Sequence, residues 1–204
     1  TLSVAEGAFW GADVPEVAVP EGLTVIPDGA FLGGNMVGVF LPKGLTAIGA
    51  AAFAGCVYLE GVVIPEGVTE IGDDAFSGCD FLASVSLPDS LIPIGARAFS
   101  HTTLESVELP GHLESLGKEA FAGCRVLEAV GMPSGLARIG ARAFADCEQL
   151  ASLTVPSGAA DIGEGAFSGC PVEAFRVEAG NARYEAEDGV LYDLRDGALL
   201  SYPI

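Results

Sequence analysis

Leu59-Glu-Gly-Val62-Val-Ile64-Pro65-Glu-Gly-Val68-Thr-Glu-Ile71-Gly72-Asp-Asp-Ala75-Phe76-Ser-Gly-Cys79 is one copy of a motif that recurs through almost the whole chain. Its Val62-Val63-Ile64 run reads as a strand with two side chains in and one out. Pro65 ends that strand, because it has no N–H to offer a ladder. Glu66-Gly67 turns the chain, and Val68 and Ile71 point inward along a second extended piece. Gly72 supplies tight backbone geometry. Asp73-Asp74-Ala75-Phe76 reads as one short helical turn with acidic residues at its start. A single copy buries too little surface to fold alone, so neighbours must stack.

Phenylalanines recur at 9, 31, 53, 76, 99, 121, 144 and 167, in steps of 22 or 23 residues. Prolines at 20, 42, 65, 88, 110, 133 and 156 each lie 11 residues before the next of these phenylalanines. The proline-to-Phe half is therefore invariant in length, and every deletion falls in the Phe-to-proline half. Such a period is the mark of a solenoid. One inward-pairing strand per copy is expected near Val17–Val19, Val39–Leu41, Val62–Ile64, Val85–Leu87, Val107–Leu109, Val130–Met132, Leu153–Val155 and Phe175–Val177.

The pattern Leu-x-x-Val-x-Leu/Ile-Pro followed by Ile-Gly-x-x-Ala-Phe-x-x-Cys resembles the BspA-like leucine-rich repeats of bacterial surface proteins. Residues 82–124 hold nearly two full copies, and the likeness covers roughly residues 5–178. Asn181-x-x-Tyr184, Asp188-Gly-Val-Leu-Tyr192 and Leu199-Leu-Ser-Tyr-Pro203 look like the hairpin insert of such arrays. The resemblance implies an α/β solenoid: a right-handed superhelix with a parallel sheet on its concave face, short helical turns and a C-terminal β-hairpin. About eight units would fill 1–178, with the hairpin segment over 179–204 packed on the last one. Another repeat often follows the Tyr-Pro in the family. The chain, which begins with Thr1, is therefore expected to be a fragment of a larger one. Two departures stand out: Glu178 replaces the strand-ending proline, and the first copy, Val4-Ala-Glu-Gly-Ala-Phe9, lacks the Ile-Gly pair.

The chain has 204 residues, half of them hydrophobic, with a net charge of −19. That charge repels nucleic acid and anionic lipid at long range, so neither is expected as a partner. It serves solubility or attracts a basic partner. No apolar run approaches the ~18 residues of a membrane helix, so direct membrane insertion is not expected.

Cys56, Cys79, Cys124, Cys147 and Cys170 each lie three residues after a repeat Phe, and Thr102 holds the same slot in a shortened copy. Equivalent positions and an odd count argue for a column of buried free thiols and against a disulfide framework. A linear column without Cys-x-x-Cys pairs also argues against zinc. His101 and His112 are expected at the surface. No nucleophile elbow, phosphate loop or calcium loop is present, so the chain reads as a non-enzyme without cofactor or metal.

Binding is sought on the outward strand positions. These are Ala18, Phe40, Val63, Ser86, Glu108, Gly131, Thr154 and Arg176, with Glu16, Gly38, Gly61, Ser84, Ser106, Ala129, Ser152 and Ala174 two residues before them. Aromatic and branched side chains gather at Phe40, Tyr58, Val63 and Phe81, the candidate partner-binding residues. Trp10 and Leu32 share another slot, just after Phe. Asp74, Arg97, Glu119 and Arg142, each two residues before a repeat Phe, alternate in sign and are expected to form an ion-pair ladder. The resemblance implies an adhesion-type protein–protein interaction module, extracellular or at the cell surface. Its expected ligand is a protein, for example a host or matrix protein. The alternatives are a structural spacer or stalk, or an accessory repeat domain of an enzyme.

Overall fold

The computed structural model of the chain describes residues 7–9, 11–195 and 197–201. The readings placed on Val4-Ala-Glu, on Trp10 and on Tyr202-Pro203-Ile204 lie outside these residues. Each unit contributes two short strands to two parallel stacks. The first stack comprises β1 (Glu16–Ala18), β3 (Gly38–Phe40), β5 (Gly61–Val63), β7 (Ser84–Ser86), β9 (Ser106–Glu108), β11 (Ala129–Gly131), β13 (Ser152–Val155) and β15 (Ala174–Val177). Hydrogen-bonded pairing divides it into β1-β3-β5-β7, β9-β11 and β13-β15. The second stack is an unbroken parallel sheet of β2 (Val25–Ile26), β4 (Ala47–Ile48), β6 (Glu70–Ile71), β8 (Pro93–Ile94), β10 (Ser115–Leu116), β12 (Arg138–Ile139) and β14 (Asp161–Ile162).

Strands of the first stack mostly begin and end one residue earlier than the valine pattern suggests. Pairing centred on Ile64 would use the N–H of the next residue, and Pro65 has none. The exception supports this reason. Where Glu178 replaces proline, its N–H bonds to the Val155 carbonyl at 2.9 Å, and the ladder extends to the Val155–Val177 pair. The Glu178 carboxylate also accepts the Ser157 amide at 2.8 Å.

The expected helical turns do not form, and the α/β assignment gives way to a β-solenoid with no helix among the described residues. The backbone explains why. Asp74 and Gly78 have φ of 57° and 68°, and the left-handed region cannot continue a right-handed helix. The same slots recur in every unit, for example Arg97 (54°) with His101 (56°) and Arg142 (56°) with Asp146 (60°). Between these residues the amides alternate in direction. Those of Asp74, Phe76 and Gly78 bond to the next unit's Ala96, Ala98 and Ser100 carbonyls at 2.7, 2.7 and 2.9 Å. Those of Ser77 and Cys79 close local turns on Asp74 and Phe76 at 3.0 and 3.3 Å. The Phe turn is thus a third ladder joining units, built of turns.

The core runs the length of the stack. The repeat phenylalanine rings lie parallel, with centroids 4.9 Å apart for Phe31 and Phe53 and 6.0 Å for Phe144 and Phe167. Leu59, Leu82, Leu104, Leu127 and Leu150 line up beside them, fully buried. Met36 takes the leucine slot next to Gly34. Its terminal methyl lies 2.5 Å from where a Gly34 Cβ would stand, so the flexible thioether fills the space a side chain at that position leaves open. Gly72 has ordinary φ; its role is close approach. A Cβ there would meet the Ala50 nitrogen at 2.7 Å, and one on Gly95 would meet the Asp73 nitrogen at 2.6 Å.

The expected C-terminal hairpin is extended into a three-stranded antiparallel meander of β16 (Tyr184–Glu187), β17 (Val190–Asp193) and β18 (Ala198–Ser201). Asp188 and Gly189 make its first turn with φ of 50° and 80°, the two positive values a tight hairpin needs. The meander packs on the last unit: Phe175 donates its amide to Gly189 at 2.9 Å. Asn181 donates to the Pro156 and Ala159 carbonyls at 2.8 and 3.1 Å.

Candidate binding surface

Successive side chains of a strand point to opposite faces, so the inward Val39 and Val62 leave Phe40 and Val63 pointing out. Both are exposed, by 62% and 70%. The Gly38–Gly61 pairing sets β3 and β5 in register, which brings Phe40 beside Val63. Gly61 is matched in turn with Ser84, and Val63 with Ser86. The result is a groove of about 650 Å³ over β3, β5 and β7, lined by Phe40, Val63, Gly38, Gly61, Ser84 and Lys43 among others.

The floor is low because its residues are small. A Cβ on Gly61 would stand 2.8 Å from the Ser84 hydroxyl oxygen. Small outward residues looked featureless in the sequence, yet beside Phe40 and Val63 they create the concavity. Lys43, just past the strand-ending Pro42, stands at the rim, a position no sequence pattern marks.

Tyr58 and Phe81 are exposed by 51% and 60%. Their rings stack at 6.2 Å and 17°, as expected for equivalent slots in adjacent units. Neither residue lines the groove. The four candidate residues therefore fall into two pairs, one on the sheet face and one on the turn that precedes it. Leu32 is exposed, and its slot-mate Trp10 lies outside the described residues.

The predicted charge ladder forms as two pairs. Arg97 grips Asp74 with two hydrogen bonds of 2.7 Å, and Arg142 lies 3.8 Å from Glu119. Among the described residues Arg97 and Glu119 form no ion pair. All four side chains branch from left-handed backbone.

The five cysteines are buried and unlinked. Each thiol donates to the carbonyl of the preceding unit's phenylalanine: Cys56 to Phe31 at 3.0 Å, Cys79 to Phe53 at 3.2 Å, Cys124 to Phe99 at 3.1 Å, Cys147 to Phe121 at 3.3 Å and Cys170 to Phe144 at 2.9 Å. Thr102 bonds the Phe99 carbonyl of its own unit at 3.0 Å and also meets Cys124 at 3.2 Å. Burial pushes the Cys56 thiol up to about 11 and raises Cys79 and Cys124 as well. Raised values hold these three thiols in the protonated, weakly nucleophilic form. His101 and His112 are exposed. Among the described residues no group of three or more His, Cys, Asp or Glu is placed to hold a metal.

A second crevice, of about 460 Å³, lies between the last Phe turn and the meander, lined by Glu164, Gly165, Phe167, Arg183, Asp193 and Leu199 among others. Nothing in the sequence signalled it, because it depends on how the meander docks.

The model of the BspA type leucine rich repeat region matches in six copies, over residues 2–128 and 114–185. A leucine rich cell surface protein from Faecalibacterium prausnitzii A2-165 is similar in structure, with a TM-score of 0.81 and 26% identity over 94% of this chain and 55% of that one. A leucine-rich repeat protein from Bacteroides ovatus gives a TM-score of 0.71 and 26% identity over 81% and 52%. The pneumococcal vaccine antigen PcpA gives 0.69 and 26% over 95% and 47%. The chain thus spans about half the length of these three proteins. No curated protein matches it. The recurring Phe, Leu, Cys and Gly columns and the family match agree: the chain belongs to the BspA-type leucine-rich repeat proteins.

Proposed function

We propose that this chain is the protein-binding repeat module of a larger cell-surface protein, and that it engages its ligand through the sheet face over β3, β5 and β7. One observation carries the reading: Phe40 and Val63 stand exposed side by side above a floor of Gly38, Gly61 and Ser84. Strands held by neighbours on both sides present such side chains with little ordering cost. An exposed aromatic beside a concavity is the kind of anchor that dominates protein interfaces. The C-terminal half of the face, with Gly131, Ser152 and Thr154, offers a ligand little to grip. Surface location is supported by the Faecalibacterium relative, which is described as a cell surface protein. An adhesion role toward a host or matrix protein extends the same reading.

The test is to replace Phe40 and, separately, Tyr58 with Ser and measure binding of the protein that the full-length molecule captures. Phe40→Ser should weaken binding at least about tenfold, as for a buried anchor. Tyr58→Ser, off the groove, should matter only if the ligand also wraps onto the adjoining turn. Unchanged affinity in both variants, with circular dichroism intact, would favour a spacer.

A further inference from the structure

We infer that the ligand of the sheet-face groove is a basic polypeptide segment, lysine- or arginine-rich around one apolar side chain, lying across the strands along the solenoid axis. This inference rests on the sheet-face reading above and specifies its ligand.

Carboxylates flank the groove on three sides. Glu16 stands at the outward position of β1, with its Cγ 3.9 Å from where a Gly38 Cβ would be. Glu108, outward on β9, turns its carboxylate the other way, over Gly131 on β11. Glu60 and Glu105 immediately precede β5 and β9 on one flank. Glu66 and Asp89 follow the strand-ending Pro65 and Pro88 on the other. Glu16, Glu60, Glu105, Glu66 and Asp89 are all exposed.

The ion pairs of the described residues engage Asp74, Glu119, Asp146 and Glu148 along the Phe turns, and Asp161 and Asp193 at the C-terminal end. None of the five carboxylates around the groove forms an ion pair or a side-chain hydrogen bond among the described residues. Lys43 is the one basic residue that lines the groove. Five like charges around an apolar depression create a field that attracts cations and disfavours acidic partners. A lysine or arginine stem can also lie along Phe40 while its head reaches a carboxylate. Three strands about 4.8 Å apart span about 10 Å, the reach of about three extended residues. The recognised element is therefore a short motif.

The inference is tested with three blocked pentapeptides, Lys-Lys-Trp-Lys-Lys, Gln-Gln-Trp-Gln-Gln and Glu-Glu-Trp-Glu-Glu, titrated into the isotope-labelled 204-residue chain and followed by amide shifts at Gly38, Phe40 and Gly61. The lysine peptide should bind about tenfold more tightly than the glutamine peptide at about 50 mM salt, with the gap closing at about 500 mM salt. A Glu16→Gln/Glu60→Gln/Glu66→Gln variant should lose most of that gap. A Glu164→Gln/Glu185→Gln/Glu187→Gln variant, with the same change in net charge away from the groove, should keep it. Equal binding of the lysine and glutamine peptides, or equal losses in the two variants, would overturn the basic-ligand inference while leaving the groove as a binding face. No shift at Gly38, Phe40 or Gly61 with any of the three peptides would overturn the sheet-face reading itself.

Discussion

The hydroxyl oxygen of Tyr184 accepts the amide hydrogen of Ile162 at 2.9 Å, at the last strand of the second sheet, where no further strand follows within the described residues. A side chain from the meander thereby satisfies a buried backbone donor. Tyr184→Phe keeps the ring and removes the acceptor. It should lower stability by about 1–3 kcal/mol, the cost of an unpaired buried donor. Urea denaturation reads the loss, and amide exchange at Ile162 should quicken. A variant as stable as the parent would mean that this hydrogen bond contributes nothing to closing the sheet.

Asp193 should give the chain an acid-sensitive end. Its carboxylate accepts from the Arg195 side chain at 2.8 Å and its amide at 3.0 Å, and from Arg183 at 3.2 Å. The Arg195 bonds foremost hold it well below the usual carboxylate range. A depressed folded value means the stabilisation is complete above about pH 4, where the unfolded carboxyl is also ionised, and is lost as pH falls toward the folded value. The unfolding midpoint should fall more steeply below about pH 4 in the parent than in Asp193→Asn. Parallel profiles would contradict this assignment.

The thiol column should titrate as buried core. A thiol-reactive dye should label few groups in the native chain and all five cysteines in denaturant. Because burial raises the Cys56 value to about 11, the folded state holds its proton more tightly than the unfolded state. The associated stability is complete below the ordinary thiol value and declines as pH rises from there toward about 11. Fast native labelling of Cys56, Cys79 and Cys124 at neutral pH would contradict the buried column.

Two glycine columns should respond differently to alanine. Gly29 has φ 58°, and a Cβ there meets nothing nearer than the Leu32 Cβ at 4.0 Å. Gly29→Ala should cost only the left-handed strain, about 1 kcal/mol. Ala51→Gly, at the same slot with φ 52°, should be neutral or stabilise by up to about 1 kcal/mol. Gly72→Ala drives a Cβ into the backbone of the preceding unit and should cost more than about 2 kcal/mol. Thermal or urea unfolding ranks the three, and equal effects would refute the separation of conformational from close-approach glycines.

The sequence by itself determined the repeat, its length, the inward Phe, Leu and Cys columns and the outward row holding Phe40 and Val63. Each follows from one residue's relation to its own copy, and repetition makes such relations visible. Tertiary structure decided what depends on contact between copies. Asp73-Asp74-Ala75-Phe76 has the composition of a helical turn, yet alternate amides are worth more when bonded to the next unit, so Asp74 accepts left-handed strain instead. The role of Gly72 is likewise set by backbone one unit away. Equivalent slots rightly paired Tyr58 with Phe81, but only the folded coil separates them from Phe40 and Val63, because turn and sheet face point in different directions. The groove exists where two large residues and three small ones come into register across strands more than twenty residues apart in sequence. No local pattern encodes that depth; it arises only when the chains of hydrogen bonds between units bring those residues together.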